Sequence, residues 1–171
     1  MKRVYFDMDG TLTEWRTVGS EEELYRKGYF LSLRPQEGVI ESARRLQESG
    51  SEIYILSCVL SDSPYALKEK KAWLLRYLPF VPRSHWIFVP YGQKKSQAVC
   101  RAMDLKNLSE NEVLVDDYSE NLREWAGEHG TGIKMMNGCN GTKGTWKGLR
   151  VWVGNALEQL PVLMRVRTAA A

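Results

Sequence analysis

The sequence predicts an α/β fold, a doubly wound parallel sheet with helices on both faces. Short apolar runs rich in β-formers recur along the chain, and each stops at polar residues. Segments of helical periodicity separate those runs, the alternation that builds parallel sheets. Several runs end in Asp or Ser, and in a parallel sheet such ends share one edge, where ligands bind. The 171 residues are 43% hydrophobic and 26% charged, as expected for a single domain spanning 1–171. This composition excludes disordered, collagen-like and coiled-coil classes.

The first strand is expected at Val4-Tyr5-Phe6, a continuous apolar run stopping at Asp7-Met8-Asp9-Gly10-Thr11. The stretch 14–37 is polar and mixed, with one short helix expected over 21–27. Val39, Ile40, Ala43 and Leu46 recur at helical spacing, and Gly50 is a plausible stop. Ile53-Tyr54-Ile55-Leu56 reads as the second strand, ending at Ser57-Cys58. A helix is expected over 66–77, a third strand over 87–89 and a helix over 95–103. Val113-Leu114-Val115 is the fourth strand, ending at Asp116-Asp117. A helix over 122–129 and a fifth strand over 132–136 follow. The Gly/Asn/Thr-rich stretch 137–148 reads as a loop. It contains Asn137, Asn140, Thr142, Lys143 and Trp146. A final helix over 153–164, interrupted near Pro161, leads into a tail expected to be disordered over 165–171.

No run of about 18 apolar residues is present, so no membrane-spanning helix is expected. The first residues enter a strand without a secretory apolar stretch. The three cysteines, Cys58, Cys100 and Cys139, are widely spaced. The expected compartment is therefore a reducing cytoplasm. The net charge of +3 is spread along the chain, so no nucleic-acid partner is expected.

Asp7, Asp9, Asp116 and Asp117 all fall at strand ends. One Asp after a strand can be a helix cap, but four caps rarely share one edge. Carboxylates brought so close cannot all stay ionised without a counter-charge. A divalent cation supplies it, and oxygen ligands favour magnesium. A metal held this way points to phosphate chemistry.

The residues also carry a resemblance. Phe6-Asp7-Met8-Asp9-Gly10-Thr11-Leu12-Thr13 resembles the DxDGT[LV]T signature of the haloacid dehalogenase (HAD) superfamily. Ile53 to Ser57, Lys95, and Val113 to Asp117 resemble its other three motifs, in order. Pro64-Tyr65, Glu69-Lys70-Lys71-Ala72-Trp73 and Arg76-Tyr77 are similar to the segment after the second motif in 5'(3')-deoxyribonucleotidases. Leu33-Arg34-Pro35-Gln36-Glu37-Gly38 resembles their return to the core after the cap.

The resemblance implies a magnesium-dependent phosphomonoester hydrolase, with a nucleoside monophosphate as the expected substrate. Asp7 is then the nucleophile that forms an aspartyl-phosphate, and Asp9 the proton shuttle. Mg²⁺ is expected on the Asp7 carboxylate, the Asp9 backbone carbonyl and Asp117, with Asp116 and Asn121 behind. Ser57 and Lys95 are the expected phosphate contacts, and the adjoining Lys94 competes with Lys95. Lys70 matches a phosphate-contacting lysine, although a solvated helix face explains it equally well. The stretch 14–37 is a cap insertion much smaller than those of known deoxyribonucleotidases. Trp15, Tyr25, Tyr29 and Phe30 are expected to pack that small lid. A phosphatase for a sugar phosphate or a nucleic-acid 3'-phosphate is the alternative, and a non-catalytic binding module a more distant one. A homodimer is possible.

Overall fold

The computed structural model describes residues 1–140 and 146–166. Among these residues, six strands form one sheet: β1 (Arg3–Phe6), β2 (Glu52–Val59), β3 (Trp86–Pro90), β4 (Glu112–Asp116), β5 (Thr131–Met136) and β6 (Leu149–Trp152). Their order is β3-β2-β1-β4-β5-β6, and every neighbouring pair is parallel. The α-helices described flank the sheet: α1 (Glu37–Glu48), α2 (Ala66–Tyr77), α3 (Lys95–Met103), α4 (Ser119–Gly127) and α5 (Ala156–Val166).

Strand β1 shows why both faces are covered. Successive side chains on a strand point to opposite faces. Val4 and Phe6 pack with Val39 and Leu46 of α1, Trp73 of α2 and Leu160 of α5. Tyr5 lies in the opposite layer, with Val99 of α3 and Leu122 and Trp125 of α4. Phe6 is wholly buried, which contributes about 1.5–3 kcal/mol. The continuous apolar runs seen in the sequence follow from burial on both faces.

The chain winds outward from β1 through β2 to β3, then crosses back to place β4 on the other side of β1. The reversal opens a crevice at the carboxyl ends of β1 and β4. Phe6 is in register with Val115, so Asp7 and Asp116 leave the sheet side by side.

Three expectations are corrected. The sheet has a sixth strand, β6, in the gap between the loop expected over 137–148 and the helix expected over 153–164, where no strand was expected. It is an edge strand, so only Val151 is buried and Leu149 packs partly on the core. Helix α5 runs continuously through Pro161. Proline removes one backbone donor, and Ala156, Leu160 and Met164 hold the helix to the core on either side of it. The expected helix over 21–27 is a 3₁₀ turn, Glu21–Tyr25, with no buried residue. Its Glu21-Glu22-Glu23 start leaves no apolar stripe to dock. Thr142 and Lys143, and the expected disordered tail from 167 onward, lie outside the described residues; α5 itself extends to Val166. Among the described residues, no helix is long and apolar enough to cross a membrane.

The segment after β1 leaves and re-enters the core at one point. A bridge joins Thr13 to Pro35, and the Glu14 N–H donates to the Arg34 carbonyl at 2.8 Å. Helix α2 fastens the segment from outside. The buried Glu69 carboxylate accepts from the backbone N–H groups of Gly28, Phe30 and Leu31, at 2.5, 3.1 and 3.5 Å. Trp73 Nε1 donates to the Leu33 carbonyl at 2.8 Å. Phe30 and Leu33 pack on Val59 and Ala66.

Candidate active site

Asp7 emerges from β1 in extended backbone, and a tight turn over Met8–Leu12 folds the next residues back over the crevice. Gly10 takes a φ of 80°, the left-handed region that favours glycine. A Cβ there would overlap the Asp117 carboxylate and the Asn137 amide. Gly10→Ala is therefore expected to cost about 1–2 kcal/mol from backbone alone and to push Asp117 out of place. Thermal melting and divalent-ion binding check this; a variant matching wild type in both would contradict it.

Asp7, Asp116 and Asp117 are all buried, and one oxygen from each lies within 4.8 Å of the others. Lys95, at the start of α3, donates to Asp7 Oδ1 at 2.6 Å and to Asp116 Oδ2 at 2.7 Å. Its neighbour Lys94 is exposed. Burial opposes the charge on Lys95, but Asp116 and Asp7 outweigh it and hold the ammonium above the ordinary lysine range. Asn121 donates to Asp116 Oδ2 at 2.9 Å, and the Tyr118 N–H to Asp116 Oδ1 at 2.7 Å.

Lys70, on α2, is buried beside this group and is not part of a solvated face. Its ammonium bonds Asp9 Oδ2, Ser57 Oγ at 2.9 Å and the Cys58 carbonyl at 2.6 Å. Those three acceptors use all three of its protons. Asp9 keeps its other oxygen, Oδ1, buried without a hydrogen-bond partner. All eight residues singled out in the sequence thus converge at one end of the sheet. Seven of them border a cavity of about 1060 Å³ that is also lined by Trp15, Tyr29 and Phe30, and the eighth, Ser57, lies buried against Lys70 at its edge.

The donor set fits a hard divalent cation. Of the four carboxylates Asp7, Asp9, Asp116 and Asp117, the ammonium groups of Lys70 and Lys95 bond the first three, and Asp117 accepts from the amides of Asn137 and Asn140. Burial, then Asp116 and Asp9, push the Asp7 carboxyl up to about 7 against the pull of Lys95. Burial, Asp116 and Asp7 raise Asp117 well above the usual carboxylate range, although Asn137 and Lys95 oppose this. An acid raised by folding adds stability below its unfolded value, about 4. That contribution is lost as pH climbs through the folded value, about 7 for Asp7. A cation on these carboxylates removes the repulsion that develops. Saturating magnesium is therefore expected to raise Tm more at pH 8 than at pH 5. Equal shifts at both pH values, or none, would contradict the site.

Comparison with known proteins agrees with this geometry. The model of the family "5' nucleotidase, deoxy (pyrimidine), cytosolic type C" matches residues 8–154. The chain belongs to this cytosolic type C 5'-nucleotidase family. Proteins of two Staphylococcus aureus strains named "Putative 5'(3')-deoxyribonucleotidase" are 26% identical to it over 127 residues. The match covers 74% of this chain and 57% of theirs, so the chain spans little more than half the length of these curated relatives. Among solved structures, D,D-heptose 1,7-bisphosphate phosphatase from B. bronchiseptica, complexed with magnesium and phosphate, is similar with a TM-score of 0.68. Identity is 15%, with 95% of this chain and 99% of that one covered. An L-2-haloacid dehalogenase is similar with a TM-score of 0.64 at 12% identity, covering 95% and 99%. These likenesses show the HAD fold.

Three residues of this family member support the site without having been singled out for it in the sequence. Asn137 Nδ2 donates to Asp117 Oδ2 at 2.7 Å and to the Gly10 carbonyl at 2.9 Å. Asn140 Nδ2 also donates to Asp117 Oδ2. The beginning of the Gly/Asn-rich stretch therefore steadies an acidic residue of β4's end. Lys134, buried in β5, donates to the Asp117 carbonyl at 3.0 Å and to Ser119 Oγ at 2.6 Å. Burial pulls its ammonium below the ordinary lysine value. A charged residue within a strand whose other positions are all buried was the available signal.

Proposed function

We propose that this protein is a magnesium-dependent phosphomonoester hydrolase. It works through an aspartyl-phosphate on Asp7 and acts on nucleoside monophosphates, with deoxyribonucleotides favoured. The observation that carries the reading is the convergence of Asp7, Asp9, Lys70, Lys95 and the Asp116–Asp117 pair on one cavity, with Ser57 bonded to Lys70 behind them. Membership of the 5'-nucleotidase family supports the substrate class, and the cytosolic family name supports a cytoplasmic location.

Asp7 attacks phosphorus through a carboxylate oxygen, and the bond from phosphorus to the leaving alcohol breaks. Asp9 gives that alcohol a proton. It then takes a proton from water, which attacks phosphorus, releases phosphate and restores the Asp7 carboxylate. Lys95 holds Asp7 and offsets charge on the transferring group. Ser57 donates its hydroxyl proton to a phosphoryl oxygen. Magnesium would be held by Asp7, Asp117 and the Asp9 carbonyl; when bound it neutralises phosphoryl charge. Asp117 is favoured over Asp116 as the direct ligand because Lys95, Asn121 and the Tyr118 N–H already use both Asp116 oxygens. Asp116 and Asn121 then hold Lys95 and the ligands in place. The segment over 14–37 acts as a small cap.

Lys70 contacts phosphate by releasing one of its three present acceptors. Lys70→Ala is expected to lower kcat/KM by roughly one to two decades, the size of one charge-assisted hydrogen bond. A change under twofold would remove it from the site.

The testing experiment is a kcat/KM panel of dUMP, dTMP, dGMP, UMP, deoxyribose 5-phosphate and hexose phosphates with magnesium. The reading expects the deoxyribonucleotides to lead. Sugar phosphates outperforming every nucleotide would overturn the nucleotide assignment, no turnover of any phosphoester with magnesium would overturn the hydrolase itself, and full turnover in excess EDTA would overturn the metal role.

A further inference from the structure

We propose that Tyr91 and Tyr118, on the loops after β3 and β4, form the wall that takes the base of the nucleotide. The inference rests on the nucleotide reading above and assigns its recognition to the core rather than to the segment over 14–37.

Both rings line the cavity, yet they are 78% and 52% exposed. Large aromatic side chains left this open at the mouth of a site are unsatisfied surface. Their backbones are fixed to the chemistry. The Tyr118 N–H bonds Asp116 Oδ1 at 2.7 Å, and its hydroxyl donates to Glu120 Oε2 at 3.2 Å. The Tyr91 N–H donates to the Val59 carbonyl, at the end of β2, at 2.9 Å. Tyr91 then leads through Gly92, at a φ of 85°, toward Lys95.

The small segment over 14–37 cannot supply this wall alone. Phe30 is committed to packing on Val59 and Ala66. Tyr29 packs edge-on against Phe30, with ring centres 5.0 Å apart. Trp15 is the ring of that segment that faces the cavity while 42% exposed. The core tyrosines therefore offer most of the open aromatic surface.

Charge at the mouth favours an uncharged ring over a second phosphate. Arg16, Lys94 and Arg123 line it, and so do Glu14, Glu120 and Glu124. Three cations against three carboxylates leave no net attraction for another anion. A flat heterocycle stacking on tyrosine needs none, and stacking tolerates every base. Weak discrimination between bases follows.

The test is Tyr91→Ala/Tyr118→Ala, assayed with dTMP, dGMP and deoxyribose 5-phosphate. The expected result is a roughly ten- to hundredfold loss of kcat/KM for both nucleotides, the scale of one stacked base, carried mainly by KM. Deoxyribose 5-phosphate, which lacks a base, should change less than about twofold. It also reports that the variant is folded. Tyr91→Phe/Tyr118→Phe should keep wild-type values, because the ring face makes the contact. Unchanged nucleotide kinetics, or equal losses for nucleotides and sugar phosphate, would overturn the assignment. Wild-type protein that turns over sugar phosphates and no nucleotide would overturn the nucleotide reading first, and this assignment with it.

Discussion

Asp7→Asn is expected to lose turnover by about four decades or more, the scale seen when a covalent nucleophile is removed. The loss should fall on kcat with every phosphoester, because no other group takes over the attack. Asp7 is buried where its charge is costly, so the neutral amide should not harm the fold. Above pH 7 the metal-free variant should melt at or above the wild-type temperature. Lys95 keeps Asp116 as its partner there. Turnover within tenfold of wild type would remove Asp7 from the nucleophile role. A collapse of Tm would instead make it a structural residue.

Asp9→Asn should separate the two chemical steps. An amide can neither give a proton to the leaving alcohol nor take one from water. Nucleoside monophosphates, with poor alkoxide leaving groups, should lose about 10²–10⁴-fold in kcat, the usual worth of general acid–base catalysis. With p-nitrophenyl phosphate the first step needs little protonation, so a rapid burst of nitrophenol should precede a slow steady state. Equal losses with both substrate classes and no burst would contradict the role.

The legible and illegible parts of this molecule differ for physical reasons. Strands β1, β2 and β4 are covered by helices on both faces, so Val4-Tyr5-Phe6, Ile53 to Leu56 and Val113 to Val115 are continuous apolar runs. Their ends carry the acids, so most of the site could be read in order along the chain. Strand β6 is covered on one side only, and its single buried residue gives no run to detect. Asn137 and Asn140 look like turn residues because turns are where asparagine commonly sits. Their partner Asp117 comes near only through the pairing of β4 with β5. Lys70 is hidden in the charged string Lys68-Glu69-Lys70-Lys71. A sharper signal was its spacing, since Ala66, Lys70, Trp73 and Leu74 share the buried stripe of α2. A lysine on that stripe either reaches a site or destabilises the core, and here it reaches Asp9 and Ser57.

Phosphate is expected to pass through Asp7. Enzyme mixed with excess dTMP and magnesium, quenched in acid during turnover and reduced with borohydride, gives the direct test. An aspartyl-phosphate is reduced to homoserine, and peptide mass spectrometry locates the residue. The account predicts homoserine at position 7 in wild type, more of it in Asp9→Asn, and none in Asp7→Asn. Turnover with no trapped residue in Asp9→Asn, or homoserine at Asp116 or Asp117 in its place, would contradict it.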